Sequence, residues 1–303
     1  MSSYNFNTVT PEILELLPNL EQIISFIQNS ENKDIISADI DNLTAGIKPG
    51  ASNIPNSQYL RAINPRENYL YLYNFVLKNF IRFDKIILKN KKHIVNKNVV
   101  DFATGTGLTS LLAAKLGAQS VLGTDARQEY IDIALKVREI ANIGDPFLNF
   151  VVSDINNHQS NNELCKNADT VIFSGIMAHV RSHDKILHSV VNDTSVRTII
   201  IETWDSTSVR HDSQPKVEKF YEPVTRTNAI NYGEYVDSVP VGRPNTSWFK
   251  KMANNIGFSI VSQHYNISFD DIIIRYTDIP VRTMNIINQE EINVRTIHTL
   301  TKI

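Results

Sequence analysis

The chain has 303 residues, of which 42% are hydrophobic and 20% are charged, and this composition excludes intrinsic disorder as its main state. A net charge of -2 disfavours general binding to polyanions, although one face of the protein could still be basic. The single cysteine, Cys165, excludes an intramolecular disulfide and a zinc site built from several cysteines of one chain.

Residues 1–97 are predicted to form a helical extension that caps the rest of the protein. Thr10-Pro11-Glu12 is typical of a helix start, and apolar residues follow at helical spacing as far as Ile27. A loop rich in Gly, Pro, Asn and Ser comes next, and the apolar stripe of residues 66–80 predicts a further helix. A basic run then precedes residue 98 and is interpreted as a solvated surface, with phosphate contacts as the alternative: Lys85, Lys89, Lys91, Lys92, His93 and Lys97.

From residue 98 onwards, short β-rich runs alternate with amphipathic helices. This alternation is typical of βαβ units and predicts a doubly wound parallel sheet in an α/β domain that covers residues 98–279. Gly117 and Gly144 are placed to end the first two helices of this domain. The five predicted strands are Val99–Phe102, Ser120–Asp125, Phe147–Asp154, Thr170–Ser174 and Thr198–Thr203.

In the C-terminal third of the chain, strands and helices no longer alternate regularly. Residues 204–244 are predicted to form a functional insertion, because a plain connection is rarely so long. A helix capped by Asn245 or Thr246 follows, and then two antiparallel strands at 258–265 and 270–276. The tail, residues 280–303, contains an alternating stretch that either adds a strand or joins a second copy of the chain, so a homo-oligomer is one expectation.

A loop of small residues joins the first strand to its helix. It reads Asp101-x-Ala103-x-Gly105-x-Gly107, and the second strand ends in an acid, Asp125. Glycines let the backbone approach a ligand, and the amides at a helix start favour an anionic group. A dinucleotide-binding fingerprint would place a third glycine at position 110, which is a serine here. The pattern therefore predicts a pocket for an adenosine-containing ligand other than a dinucleotide.

These residues resemble the first and second motifs of the class I S-adenosylmethionine (SAM) dependent methyltransferases. In that family an acid precedes three alternating glycines, the first of which is Ala103 here. The resemblance covers about residues 98–278 and implies a Rossmann-like seven-stranded sheet with an antiparallel C-terminal strand, and SAM as the cofactor. It assigns cofactor contacts to Asp101, Ala103, Thr104, Gly105, Gly107, Asp125, Ala126, Asp154, Ile155, Ser174 and Gly175.

Three residues are predicted to be catalytic. His179 lies in the loop after the fourth strand, where a neutral imidazole could take a proton from the methyl acceptor, but packing of that loop is an equal alternative. Glu202 ends the fifth strand and could fix a cationic or hydroxylated acceptor. Tyr221 belongs to the insertion, which could close over a substrate. His183 is expected at the surface of a helix start, and no metal is expected, because no third ligand accompanies His179 and His183.

The predicted function is methyl transfer to an oxygen or nitrogen atom of a small or medium-sized acceptor, by a cytoplasmic enzyme away from membranes. Residues 170–187, 199–204 and 244–258 also resemble the wobble-uridine tRNA carboxymethyltransferases, so a tRNA-modifying enzyme is the first alternative. A non-catalytic SAM-binding interaction protein is the second. The loop SGIMAHVRSHD lacks the two glutamates of protein arginine methyltransferases, and this disfavours arginine as the substrate.

Overall fold

A computed structural model describes residues 15–27, 85–204, 214–223, 238–266 and 294–303. Its helices are α1 (Leu20–Ile27), α2 (Leu108–Lys115), α3 (Gln128–Ile140), α4 (His158–Cys165), α5 (His183–Val191) and α6 (Thr246–Asn255). Its strands are β1 (Asn98–Phe102), β2 (Ser120–Asp125), β3 (Leu148–Val152), β4 (Thr170–Ser174), β5 (Thr198–Trp204), β6 (Val217–Pro223), β7 (Ser238–Pro244), β8 (Phe258–Asn266) and β9 (Val294–Lys302). Two short 3₁₀ helices occupy Leu88–His93 and Met177–His179.

Seven strands form one sheet in the order β3-β2-β1-β4-β5-β9-β8. The first five strands are parallel, whereas β9 is antiparallel to both of its neighbours. This confirms the predicted α/β fold, with its Rossmann-like sheet and its antiparallel C-terminal strand. The chain leaves β1 towards β2 and β3 on one side and later returns to β4 on the other, so the strand order reverses between β1 and β4.

Strand β9 lies inside the sheet. It pairs with β5 along one edge, as in Ile201 with His298, and with β8 along the other, as in Ser262 with His298. Because both of its edges are used, this strand cannot pair with a second copy of the chain. The partner of β8 in the described sheet is therefore residues 294–302, and the predicted strand at 270–276 lies outside the described residues.

The central parallel strands β1, β4 and β5 bury both faces, as their continuous apolar sequences predict. On β1, Val99 faces a core built with α1, α2 and α3, and Val100 and Phe102 face a core built with α4, α5 and α6. The same alternation puts Ile200 in the first core and Ile201 in the second. Each strand is thus held from both sides, and its carboxyl end is presented at a rigid edge.

Within the predicted insertion, β6 and β7 form a separate antiparallel pair. In the N-terminal extension, Pro18 precedes α1 by two residues, and four of the five apolar residues of α1 are buried. The expected loop at 41–57 and helix at 66–80 lie outside the described residues. No helix among the described residues has the length and hydropathy needed to cross a membrane.

Candidate functional site

The point where the strand order reverses positions the candidate site. In open α/β sheets, ligands bind in the crevice outside the carboxyl ends of the two strands that flank such a point. Here the flanking strands are β1 and β4, and the segments that follow them are Ala103–Gly107 and Ser174–Gly175. The sheet therefore brings together two segments that are about 70 residues apart and that the sequence analysis assigned to one pocket.

Asp101 lies at the base of this crevice and is fully buried. Its Oδ2 accepts hydrogen bonds from Thr104 Oγ1 at 2.8 Å and Ser110 Oγ at 2.7 Å. Its Oδ1 is buried with no hydrogen-bond partner. Burial raises the pKa of this carboxyl to about 6, although the two hydroxyl donors oppose the shift. A ligand with a cationic or hydrogen-donating group would satisfy Oδ1.

The two glycines of the loop have different environments. At Gly105, with φ +56°, a Cβ would lie 3.8 Å from Cδ1 of Tyr130, which is an ordinary van der Waals contact, so it is the backbone conformation that favours glycine there. At Gly107, with φ +80°, a Cβ would lie 2.8 Å from both Ala134 and Phe150. Gly107 therefore lets α2 pack on α3 and β3, whereas a Cβ at Gly105 would meet no close contact.

Ala103 stands where the resembling family has its first glycine, and it adopts a left-handed backbone with φ 55°. An L-residue with a Cβ pays about 1 kcal/mol or more for that conformation. The following residue, Thr104, donates its backbone amide to Thr124 O at 2.8 Å. This bond ties the loop to the end of β2, and it holds the loop in a shape that the sequence alone does not favour.

Asp125 ends β2, and its side chain is only 4% exposed. Its Oδ2 accepts the amide of Gly105 at 3.0 Å, which joins the second strand to the loop after the first. Its Oδ1 accepts the backbone amide of Arg127 at 3.1 Å and Nε of the same residue at 3.0 Å. Ala126, between them, is half-buried. The loop after β1 is therefore tied to both acids of the motif, through Thr104 to Asp101 and through Gly105 to Asp125.

The third predicted acid, Asp154, lies two residues beyond the end of β3. Its Oδ1 accepts the backbone amide and the side-chain amide of Asn156, at 2.9 and 3.0 Å, and this turn leads into α4. The next residue, Ile155, is buried in the core on the α4 side of the sheet. Asp154 and Ile155 thus follow the strand beyond β2, at the same edge of the sheet as Asp101 and Asp125.

On the other side of the crevice, Ser174 at the end of β4 pairs in register with Glu202 on β5. Glu202 is fully buried, and its carbonyl oxygen accepts the amide of Gly175 at 2.8 Å. By the alternation along the strands, Asp101, Ser174 and Glu202 all point to the face that carries Ile172 and Ile200. Three polar side chains therefore share one face near the carboxyl ends of three adjacent strands.

His179 ends the short 3₁₀ helix after β4 and is half-buried. The expectation that His183 is exposed is wrong, since this side chain is only 3% exposed. Its Nε2 lies 2.7 Å from Met177 O and 3.0 Å from Gly242 O, so Nε2 carries the proton and donates to both. His183 therefore joins the β4 loop to strand β7 of the insertion, a long-range link that no local sequence pattern indicates.

Tyr221, the third predicted catalytic residue, lies on β6 opposite Pro240 on β7. Strand β7 also contacts the 3₁₀ helix that ends at His179. The insertion strands thus lie beside the loop of His179, on the β4 side of the crevice.

Ser110 is a residue whose role the sequence analysis missed, because it was considered only as a departure from the dinucleotide fingerprint. Its hydroxyl holds Asp101 and also lies 2.8 Å from Thr104 Oγ1. The sequence signal for this role was the presence of two hydroxyl residues, Thr104 and Ser110, three and nine positions after Asp101.

The basic run lies at the amino ends of the strands, whereas the candidate site lies at their carboxyl ends. His93 Nδ1 is 3.2 Å from Thr198 Oγ1, and His93 O accepts the hydroxyl of Thr170. Thr170 and Thr198 are the first residues of β4 and β5, so this segment packs against the amino ends of the strands. It is therefore on the side of the sheet opposite the candidate site. Among the described residues, no group of three His, Cys, Asp or Glu side chains is arranged to hold a metal ion.

Comparison with known proteins gives methyltransferases among both the sequence relatives and the solved structures. The PrmA family, ribosomal protein L11 methyltransferase, matches residues 84–209, which is less than half of the chain. The provisionally named protein N5-glutamine methyltransferase of Methanocaldococcus jannaschii is 33% identical over 70 residues, which are 23% of this chain and 34% of that protein. Protein arginine N-methyltransferase 6 of Danio rerio is 32% identical over 105 residues, which are 35% of this chain and 28% of that protein.

The match thus spans about a third of the length of each of these curated relatives. Among solved structures, magnesium protoporphyrin IX methyltransferase from Synechocystis PCC 6803 aligns with a TM-score of 0.49 and 15% identity, over 89% of this chain and 100% of that one. The family match over residues 84–209 and the order of the sheet support the predicted resemblance to the class I SAM-dependent methyltransferases.

Proposed function

We propose that this protein transfers a methyl group from SAM to a nitrogen or oxygen atom of a small or medium-sized acceptor. The observation that carries the proposal is the placement of two buried carboxylates, Asp101 and Asp125, against the loop that follows β1 at the switch point of the sheet. SAM has a cationic amino-acid part and a ribose with two hydroxyls. One acid can serve each of these groups.

The residues fit SAM in two respects. Gly105 carries no side chain, so a ligand can approach the loop backbone closely there. The partnerless Oδ1 of Asp101 is an acceptor that the fold itself leaves unused. We assign the methionine part to Asp101 and the Ala103–Gly107 loop, the ribose to Asp125 and Ala126, and the adenine to Asp154 and Ile155. Ser174 and Gly175 then border the transferred methyl.

When bound, SAM supplies an electrophilic methyl group on a sulfonium. The chain must hold the acceptor in line with that methyl, exclude water and take the acceptor's proton, because positioning and desolvation dominate such a reaction. His179 is the proposed proton acceptor, and Glu202 is the proposed anchor for a cationic or hydroxylated acceptor. His183 assists indirectly, since it fixes the loop of His179 against β7.

Nitrogen is the acceptor atom that the relatives favour, since the names of both curated relatives describe N-methyltransferases. We therefore rank amines and amides before hydroxyls as acceptors. The tRNA alternative has less support, because the basic run packs at the sheet edge opposite the candidate site. We place the reaction in the cytoplasm on the basis of the lone, buried Cys165, a thiol usage suited to a reducing compartment.

The test is a transfer assay with methyl-labelled SAM against separate pools of amines, amides, hydroxyl compounds and tRNA. The proposal predicts label in a small-molecule pool and equimolar S-adenosylhomocysteine (SAH), and it predicts loss of both in Asp125→Asn. Lys136→Met, which removes an exposed cation on α3, is the matched control and retains activity. Label in tRNA alone would favour the first alternative. SAH binding without transfer to any pool would favour the non-catalytic alternative.

A further inference from the structure

The carboxylate of Asp125 is already occupied by a side chain of this chain. Arg127, two residues further on, brings Nε to 3.0 Å from Oδ1 and Nη2 to 3.5 Å from Oδ2. The same carboxylate accepts the backbone amides of Arg127 and Gly105, at 3.1 and 3.0 Å. A carboxylate has about four acceptor positions, so these four donors fill it.

The four donors differ in how easily they can leave. The two amides belong to the turn into α3 and to the loop after β1, and their loss would change the backbone of both. The two guanidinium bonds belong to a side chain that is 24% exposed and can rotate towards solvent. A ligand that donates two hydrogen bonds to Asp125 must therefore replace the guanidinium of Arg127.

Arg127 has a second contact that holds it in this position. Its guanidinium carbon lies 3.6 Å from the centroid of the Tyr130 ring, one turn along α3. A cation this close to an aromatic face is attracted by the ring. Tyr130 is buried and also borders Gly105, where its Cδ1 lies 3.8 Å from the position of a Cβ. The guanidinium is thus held between Asp125 and Tyr130.

We propose that Arg127 is an internal competitor for the ribose hydroxyls of SAM and lowers the affinity of the site for adenosine-containing ligands. The inference rests on the proposed function, because it takes Asp125 as the ribose contact. Binding replaces the two guanidinium bonds with two hydroxyl bonds, and the guanidinium moves into solvent. The binding free energy of SAM is therefore less favourable by the free energy that holds Arg127 against Asp125 and Tyr130. Ligands without the two hydroxyls do not displace Arg127, so their affinity is not reduced in this way.

The test compares wild type, Arg127→Met and Arg127→Gln in binding SAH, adenosine and 2′,3′-dideoxyadenosine. Isothermal titration serves for SAH, and ligand-observed NMR titration serves for the two nucleosides. Both variants are expected to bind SAH and adenosine about fivefold more tightly than wild type, which is about 1 kcal/mol. Dideoxyadenosine affinity is expected to change by less than about twofold, because this ligand does not displace Arg127. Lys136→Met removes a cation from the same helix without touching Asp125, and it is expected to match wild type.

Two results would overturn the inference alone: wild type binds SAH and neither Arg127 variant binds it more tightly, or the variants gain equally for dideoxyadenosine. The first would mean that Arg127 supports the site, and the second that it limits access to the whole pocket. If wild type and both variants bind none of the three ligands, the proposed function itself fails and the inference fails with it.

Discussion

Gly123 on β2 provides the space that Ser110 on α2 fills. A Cβ at position 123 would lie 2.8 Å from Ser110 Oγ and 2.5 Å from Cδ1 of Phe150. In a dinucleotide-binding fold a third glycine on the helix allows close packing against the strands. Here the glycine is on the strand instead, and the helix is free to carry a serine. That serine donates to Asp101, so the exchange supplies a hydrogen bond at the base of the site.

Gly123→Ala is therefore expected to destabilise the protein by about 1–3 kcal/mol, because overpacked positions force neighbouring side chains to shift. Denaturant unfolding measures the change. Gly144→Ala is the matched control, since nothing lies within 4 Å of a Cβ there and this residue is exposed. Equal stabilities for the two variants would contradict the packing argument.

Ala103→Gly is expected to stabilise the fold by about 0.5–1 kcal/mol, since glycine adopts a positive φ without steric cost. This gain in stability is smaller than the strain energy that is relieved at Ala103, because glycine loses more backbone entropy than alanine on folding. Ala114→Gly, in the last turn of α2, serves as the control with the opposite sign and loses up to about 1 kcal/mol. A loss of stability in Ala103→Gly would show that the Ala103 methyl makes a packing contact that outweighs the strain.

The sequence predicted the part of the fold that depends on local periodicity. The observed β2 and β4 have the predicted bounds, and α2 ends just before Gly117. What it did not predict depends on contacts between distant residues. The partner of β8 comes from residues 294–302, and His183 is buried because Gly242 approaches it from 59 positions away. Likewise, Ser110 acquires its role only when α2 packs over the end of β1.

Asp101 imposes a pH dependence on stability. Its pKa rises from 3.8 to about 6 on folding, so the folded state favours the protonated form. The stabilisation is fully present below pH 3.8 and is lost as the pH rises towards 6. Asp101→Asn removes this dependence. Between pH 4 and 7, the stability of the variant relative to wild type is therefore expected to increase by about 2 kcal/mol.

The comparison with the variant is needed because His298 acts in the opposite direction. Burial lowers its pKa to about 3, so the stability that depends on its neutral form is present above pH 6.5 and is lost as the pH falls towards 3. Wild type alone would show the sum of both effects. Urea unfolding of both proteins at several pH values isolates the Asp101 contribution, and a stability difference that does not change with pH would contradict it.

His183→Phe is expected to cost about 1–3 kcal/mol, because two buried carbonyl groups, of Met177 and Gly242, lose their donor. The loss of stability should be confined to the part of the insertion around β7, which His183 contacts. Hydrogen exchange of the amides of 238–244 should accelerate more than that of β1, and His183→Gln, which keeps a donor, should restore part of the protection. Uniform acceleration across both segments would indicate a general loss of stability instead.

The most direct test of the central claim is calorimetric titration of wild type and Asp125→Asn with SAH and with NAD. The account predicts that wild type binds SAH and not NAD, and that Asp125→Asn binds SAH at least about tenfold more weakly with an unchanged fold, since a hydrogen bond to a charged group is lost. Equal SAH affinity in the two proteins would remove Asp125 from the ribose contact. Binding of NAD in place of SAH would contradict the assignment as a methyltransferase.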